Sequence, residues 1–280
     1  MHARRSSRQT VHLGGAPQPE RRLVHRMTLA LSVRRAEGEP HLIAARVRRV
    51  RQEIAIGEQT ARYDSAGPPA EQHPALARAL EPLTAVRLTL LIGADGRVVR
   101  VRGLDAHWDE LAERHVISPP LLARLRERMT NERFARWFDR SARLLPDGTP
   151  APGAAWQRRF TSLVAGAESQ TTLEFAAEAA DEGVRVTLSG SRRGSGDADP
   201  PRRGAALRKL ESTLRGVIVL DAAGMPRRLD IEEQGGMDYV ADTPAGAVEM
   251  RIDQTVSTTV TVAPAGEPAD TPGQPASSDE

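Results

Sequence analysis

The chain reads as an α+β protein: a large, curved, mainly antiparallel sheet, a half-open barrel, with a central helical insert packed on its concave face. Three observations predict this fold. Apolar and polar residues alternate at a period of two in many segments bounded by turn residues, the pattern of strands with one side on a core and the other in water. Over residues 104–145 the apolar spacing becomes helical, and afterwards the alternation returns. Strands on both sides of one helical block most economically share a sheet on which that block packs.

Taken in order, residues 1–20 are rich in Arg, Ser, Gly and Pro without apolar periodicity and predict a disordered basic arm. Strands follow at 23–33 and 42–56, separated by Glu37-Gly38-Glu39-Pro40, and a third at 59–63 stops at Ser65-Ala66-Gly67-Pro68-Pro69. Residues 74–83 predict a short helix, and 86–92 and 98–101 a hairpin about Gly93-Ala94-Asp95-Gly96. In the insert, Leu104, Trp108 and Leu111 share one stripe and Leu121, Leu122, Leu125 and Met129 another, with Ser118 at an N-cap before Pro119 and Pro120. Phe134, Trp137 and Phe138 form a further apolar face, and Pro146-Asp147-Gly148 closes the block. Strands are then expected at 156–164, 171–177 and 184–188, a loop over 190–204, and a meander through 212–220, 227–233, a turn at Gly235-Gly236, 248–252 and 256–262. Residues 264–280 hold no core former and predict a disordered acidic tail, leaving 21–263 as a single β-rich domain.

Composition narrows the function classes. Hydrophobic residues are 39% of the chain and aromatics 3%, so the core is built from Leu, Val, Ile and Ala, and each aromatic side chain carries a large share of buried area. Arginine supplies all but Lys209 of the 39 basic residues, yet the net charge is only +2, so the basic bias is read as compositional and nucleic acid is not expected as a partner. The charge is nonetheless uneven: Arg4, Arg5, Arg8, Arg21, Arg22, Arg26, Arg34, Arg35, Arg46, Arg48, Arg49 and Arg51 face only Glu20, Glu37 and Glu39 in the same stretch. No aromatic precedes Tyr63, so this region has no base-stacking platform. The absence of cysteine excludes disulfides, thiolate metal sites and a Cys nucleophile. No apolar run approaches the roughly 20 residues of a spanning helix, and residues 27–33 read as a strand rather than a signal peptide.

Chemistry-bearing residues are sparse. Asp105, His107, Asp109, Glu110, Glu113 and His115 crowd one predicted helix, but without a metal-binding spacing of histidines they read as an exposed charged face, and no metal or cofactor is expected. The Gly190 to Gly196 stretch lacks the ending of a phosphate loop, and no Gly-x-Ser-x-Gly elbow occurs. Trp108, Phe134, Trp137 and Phe138 either pack the helices onto the sheet or line an apolar cavity between the two, where a lipid-like molecule could sit.

The run Leu88 to Asp105, with Tyr63-Asp64-Ser65 and Pro74-Ala75-Leu76 before it and Leu145-Pro146-Asp147-Gly148 and Pro152-Gly153-Ala154-Ala155-Trp156 after it, resembles a family of uncharacterised bacterial envelope proteins and lipoproteins. The resemblance covers residues 20–262 and rests on turn and packing motifs. It implies a shape like the half-barrels of lipoprotein carriers, an extracytoplasmic setting, and a lipid-like ligand or another envelope protein as partner; it brings no catalytic residues. The leading expectation is therefore a non-enzymatic envelope domain, against a structural interaction module and, third, a hydrolase.

Overall fold

The computed structural model describes residues 1–34, 41–93, 98–114, 117–132, 134–135, 144–146, 149–164, 167–181, 183–196, 205–222, 224–243 and 246–263. The strands are β1 (His2–Leu13), β2 (Ala16–Pro17), β3 (Arg21–Arg34), β4 (His41–Ile56), β5 (Gln59–Asp64), β6 (Arg87–Ile92), β7 (Val98–Arg102), β8 (Ala155–Val164), β9 (Ala167–Ala180), β10 (Gly183–Ser195), β11 (Ala205–Asp221), β12 (Pro226–Thr243) and β13 (Gly246–Thr261). They form one 13-stranded sheet in the order β7-β6-β4-β3-β1-β13-β12-β11-β10-β9-β8, with β2 beside β1 and β5 beside β4. Every pairing is antiparallel. The sheet is open, ending at β7 and β8.

The helices α1 (Pro74–Leu80), α2 (Leu104–Glu113) and α3 (Pro119–Arg128) lie in the predicted segments. Gly103, at φ 114, makes the turn from β7 into α2, where a Cβ would run into the Arg87 carbonyl oxygen. Leu80, Leu83, Leu104, Trp108 and Leu111 pack with Leu29, Val47, Val50, Tyr63, Leu88, Leu90 and Val101 in one cluster, which fixes the helices over the β3 to β7 end of the sheet. This side is called the helix face below.

Four expectations are corrected. Residues 2–13 are not a disordered arm but β1, the strand that joins the two ends of the sheet by pairing with β3 and β13. Its residues are largely polar on both faces, so no apolar alternation marks it; ladders along both edges satisfy its backbone instead. The predicted loop at 190–204 begins late, because β10 runs to Ser195. The turn at Gly235-Gly236 is absent: β12 passes straight through both glycines, and β13 is one strand where two were expected. Gly235 faces Ser212 in register, and a Cβ there would collide with Glu211 O and Ser212 Cα, so glycine serves close strand approach rather than chain reversal.

Leu88, Val99, Val217 and Ile252 all lie in strands, as expected. The apolar side chains nevertheless fall into three clusters rather than one continuous core. The second is built on Leu173, Phe175, Val186, Leu188, Ile218 and Leu220, and the third on Ala167, Leu207, Leu210 and Met237. Sheets of more than about 10 strands curl, and here β9 touches β11 across β10. Gly190, Gly194, Gly216 and Gly235 stand opposite Leu214, Leu210, Ile231 and Ser212 on the helix face, leaving room for the sheet to bend toward that side.

Candidate functional site

In-register partners on neighbouring strands point to the same face, so the pairing can be followed across the molecule. Ala177, Val186, Ile218, Leu229, Val260, Ala3, Met27 and Val50 are successive partners from β9 to β4, an apolar row that joins the second cluster to the first across the sheet centre. Its ends are buried, and Leu229, Val260, Ala3 and Met27 in the middle are half-buried.

The next row on the same face is polar at its centre. Arg5 is the partner of His25, His25 of Gln52, and Gln52 of Tyr63. His25 Nδ1 and Gln52 Oε1 are 3.3 Å apart. Burial lowers the His25 pKa, the Gln52 hydrogen bond opposes that shift, and the Arg5 charge adds to it, so the neutral form of His25 is favoured beside a permanent cation. Arg5 is exposed, and no carboxylate among the described residues lies within ion-pair distance of it. An unpaired guanidinium against an apolar row is suited to hold an anionic head whose tail lies on that row.

Further along the face, Thr171, Arg192 and Ser212 are partners in a polar row that separates the second cluster from the third. Arg192 donates to Thr171 Oγ1 at 3.1 Å and to Glu233 Oε1 at 2.8 Å, and Ser212 donates to the same oxygen at 2.7 Å. These groups satisfy one another.

The residues singled out in the sequence are dispersed. Trp108 is 1% exposed, with Nε1 donating to the Met129 carbonyl at 3.2 Å, and Phe134 packs against the first cluster; Trp137 and Phe138 lie outside the described residues. In the charged helix, His107 donates to Pro82 O at 2.7 Å, Asp109 accepts from Arg126, Glu110 pairs with Arg114, and Asp105 accepts from Asn131; His115 lies outside the described residues. No group of metal-ligating side chains occurs among the described residues.

The elements of a hydrolytic relay are split. His12 has an acid, Asp253 at 3.2 Å, and His2 a hydroxyl, Thr28 at 3.1 Å, and the two histidines lie at opposite ends of β1, about 33 Å apart at 3.3 Å per residue. On the face opposite the helices, a groove of about 670 Å³ opens where Gly236 leaves β12 without a side chain. Two of its cations are engaged within it, Arg251 with Asp238 and Asp253, and Lys209 with Glu211, while Arg8 lines its edge without an ion pair among the described residues.

The central row and Arg5 escaped sequence reading because β1 carried no strand signal and its partner β13 lies at the other end of the chain. No helix among the described residues is long and apolar enough to cross a membrane. No known family profile matches the chain, and no curated protein does. A solved lipovitellin structure, concerned with lipid–protein interactions, is similar at 10% identity and a TM-score of 0.42; the match covers 96% of this chain and 26% of that one. A likeness at that level defines neither family nor ligand.

Proposed function

We propose that the protein is a non-enzymatic binding protein whose helix face holds a lipid-like molecule, its tail along the Leu229, Val260, Ala3 and Met27 row and an acidic head at Arg5. The observation that carries this reading is an apolar row crossing eight strands, half-open at its centre, with an unpaired arginine beside it. Phe134 would flank the tail on the helix side, over a floor that Trp108 packs; Trp137 and Phe138, expected from the sequence to line the same cavity, lie outside the described residues. The envelope setting belongs to the same proposal and is supported by the sequence resemblance.

Organic extraction and native mass spectrometry of the purified chain are expected to yield an apolar molecule, and a fluorescent fatty acid to bind. Arg5→Gln is expected to weaken the fatty acid about tenfold and leave its alcohol analogue unchanged, because a charged hydrogen bond is lost. Failure to extract anything or to bind either probe overturns the reading; equal binding of both heads by the parent removes Arg5 from it. The competing reading is a protein partner that adds a strand at β8, which pairs on one side only among the described residues. An empty helix face with partner-dependent protection of β8 amides would favour it.

A further inference from the structure

The face opposite the helices carries a feature the apolar-ligand reading does not use. Thr259, Arg4, Arg26, Arg51 and Asp64 are successive in-register partners across β13, β1, β3, β4 and β5, so three arginines stand side by side. Neighbouring strands are about 4.8 Å apart, and like charges directly opposite one another destabilise a sheet. A second such pair, Arg8 with Arg22, lies four residues along β1, and a third, Arg46 with Arg87, lies where β4 meets β6.

The available carboxylates do not neutralise this surface. Asp64 is engaged by Arg49 and lies 3.9 Å from Arg51, Glu53 is engaged by Arg62, and Asp230, which follows Thr259 in the same row, is engaged by Arg228. Among the described residues no acidic group is within ion-pair distance of Arg4, Arg8, Arg22 or Arg26. Burial, then the charges of Arg4 and Arg51, lower the Arg26 guanidinium from its ordinary value, a sign that the row carries excess positive charge despite Glu53. Arg8, Arg22, Arg26, Arg46, Arg51 and Arg87 are exposed.

We propose that this arginine face docks on an anionic lipid bilayer, with Arg4, Arg26 and Arg51 at the centre of the contact. Its form selects that partner. The charges spread over two dimensions, along the strands and across them, as headgroups in a bilayer do, rather than tracking a line. Between them stand Ser6, Thr28 and Val24, with His2 beside Thr28 as the one ring at these positions and no Phe, Tyr or Trp among them for base stacking. The face requires no apolar insertion, so binding is electrostatic and reversible.

Flotation of the full-length protein with vesicles tests this. Vesicles of phosphatidylcholine with added phosphatidylglycerol are expected to carry the protein, and pure phosphatidylcholine vesicles not to. Binding is expected to weaken steeply with added salt. At about 1 kcal/mol for each basic residue near the surface, Arg4→Gln/Arg26→Gln/Arg51→Gln is expected to lower the apparent affinity roughly a hundredfold. That variant relieves repulsion, so its fold is expected to survive, checked by circular dichroism. Removing equal charge elsewhere with Arg78→Gln/Arg159→Gln/Arg185→Gln is expected to change binding less than about twofold. Equal binding to both vesicle types, an unaffected arginine-row variant, or tighter binding to a short DNA duplex than to anionic vesicles would each overturn the proposal. An apolar ligand can fail to extract while the vesicle result stands, since the two readings use opposite faces.

Discussion

At the β3 to β7 end of the sheet, the apolar face is covered by separate elements: α1 and α2 set Leu80, Leu104, Trp108 and Leu111 onto strand residues such as Leu29, Val47, Val50 and Leu88. At the β8 to β12 end, the third cluster is made of strand residues alone, Val164 and Ala167 at the β8–β9 turn meeting Leu207, Met237, Tyr239 and Ile252. There the sheet curls, with β9 touching β11 across β10, and Gly190, Gly194, Gly216 and Gly235 allow close strand approach on that face. The same alternating pattern thus reaches dryness by two routes. A lid of helices brings side chains from outside the sheet, whereas a curled wall relies on the strands alone.

The largest expected effect separates these routes with one chemistry. Leu104 is 0% exposed beneath the helices and Leu210 is 2% exposed in the curled wall. Leu→Ala substitutions cost about 2–5 kcal/mol, depending on how far the surroundings collapse into the cavity. Leu104→Ala is expected near the upper end and Leu210→Ala near 2–3 kcal/mol, measured by urea unfolding. Equal losses would mean that the wall is as unyielding as the lid and would end the comparison.

A middling effect tests what divides the curled end. Arg192 and Glu233 are 21% and 15% exposed, and their pair interrupts the apolar surface between the second and third clusters. Glu233→Ala strands Arg192 and leaves the Ser212 hydroxyl without its acceptor, at an expected cost of about 2–3 kcal/mol. Replacing the group together, Arg192→Met and Glu233→Leu with Ser212→Ala, is expected to leave stability within about 1 kcal/mol of the parent, because an apolar set completes the surface and leaves neither a desolvated charge nor an unpaired Ser212 hydroxyl. A triple variant as unstable as the single one would show the group to be a positioning element for the curl.

The strands that were legible share one property: their faces differ. In β6, Leu88 and Leu90 alternate with Arg87 and Thr89, and in β9 Leu173, Phe175 and Ala177 alternate with Glu174 and Ala176, so period and burial agree. β1 was illegible because Arg4, Ser6 and Arg8 on one side and Arg5, Ser7 and Gln9 on the other give no contrast; what makes it a strand is the pair of neighbours it lies between, more than 200 residues apart in the chain. Gly235-Gly236 misled in the opposite sense, since local chemistry reads two glycines as a turn while the sheet uses them as space. The helices were legible as a block, and Trp108 was found as a buried residue, but the apolar row through Ala3 and the arginine row through Arg4 exist only in the register.

The smallest expected effect lies at the rim of the lid-covered end. Asp64 closes β5 and accepts from Arg49 Nε at 2.8 Å, Arg49 Nη2 at 2.5 Å and the Ala66 N–H at 3.1 Å. The Arg49 hydrogen bonds are the chief cause that holds its pKa below the ordinary carboxylate value, against the opposing effect of burial. A carboxyl whose folded pKa is depressed contributes stability that is present above its unfolded value, near 4, and is lost as pH falls through the lower folded value. Because the Arg49 side chain is 50% exposed, the contribution is less than about 1 kcal/mol. Asp64→Asn is therefore expected to lower the urea midpoint slightly at neutral pH and to flatten its decline below about pH 4. If the acid decline is unchanged in Asp64→Asn, the loss of stability in acid arises from other carboxylates, and the Asp64 contacts order the start of α1 through Gln72, which bonds both the Asp64 N–H and its carbonyl, without contributing to pH dependence.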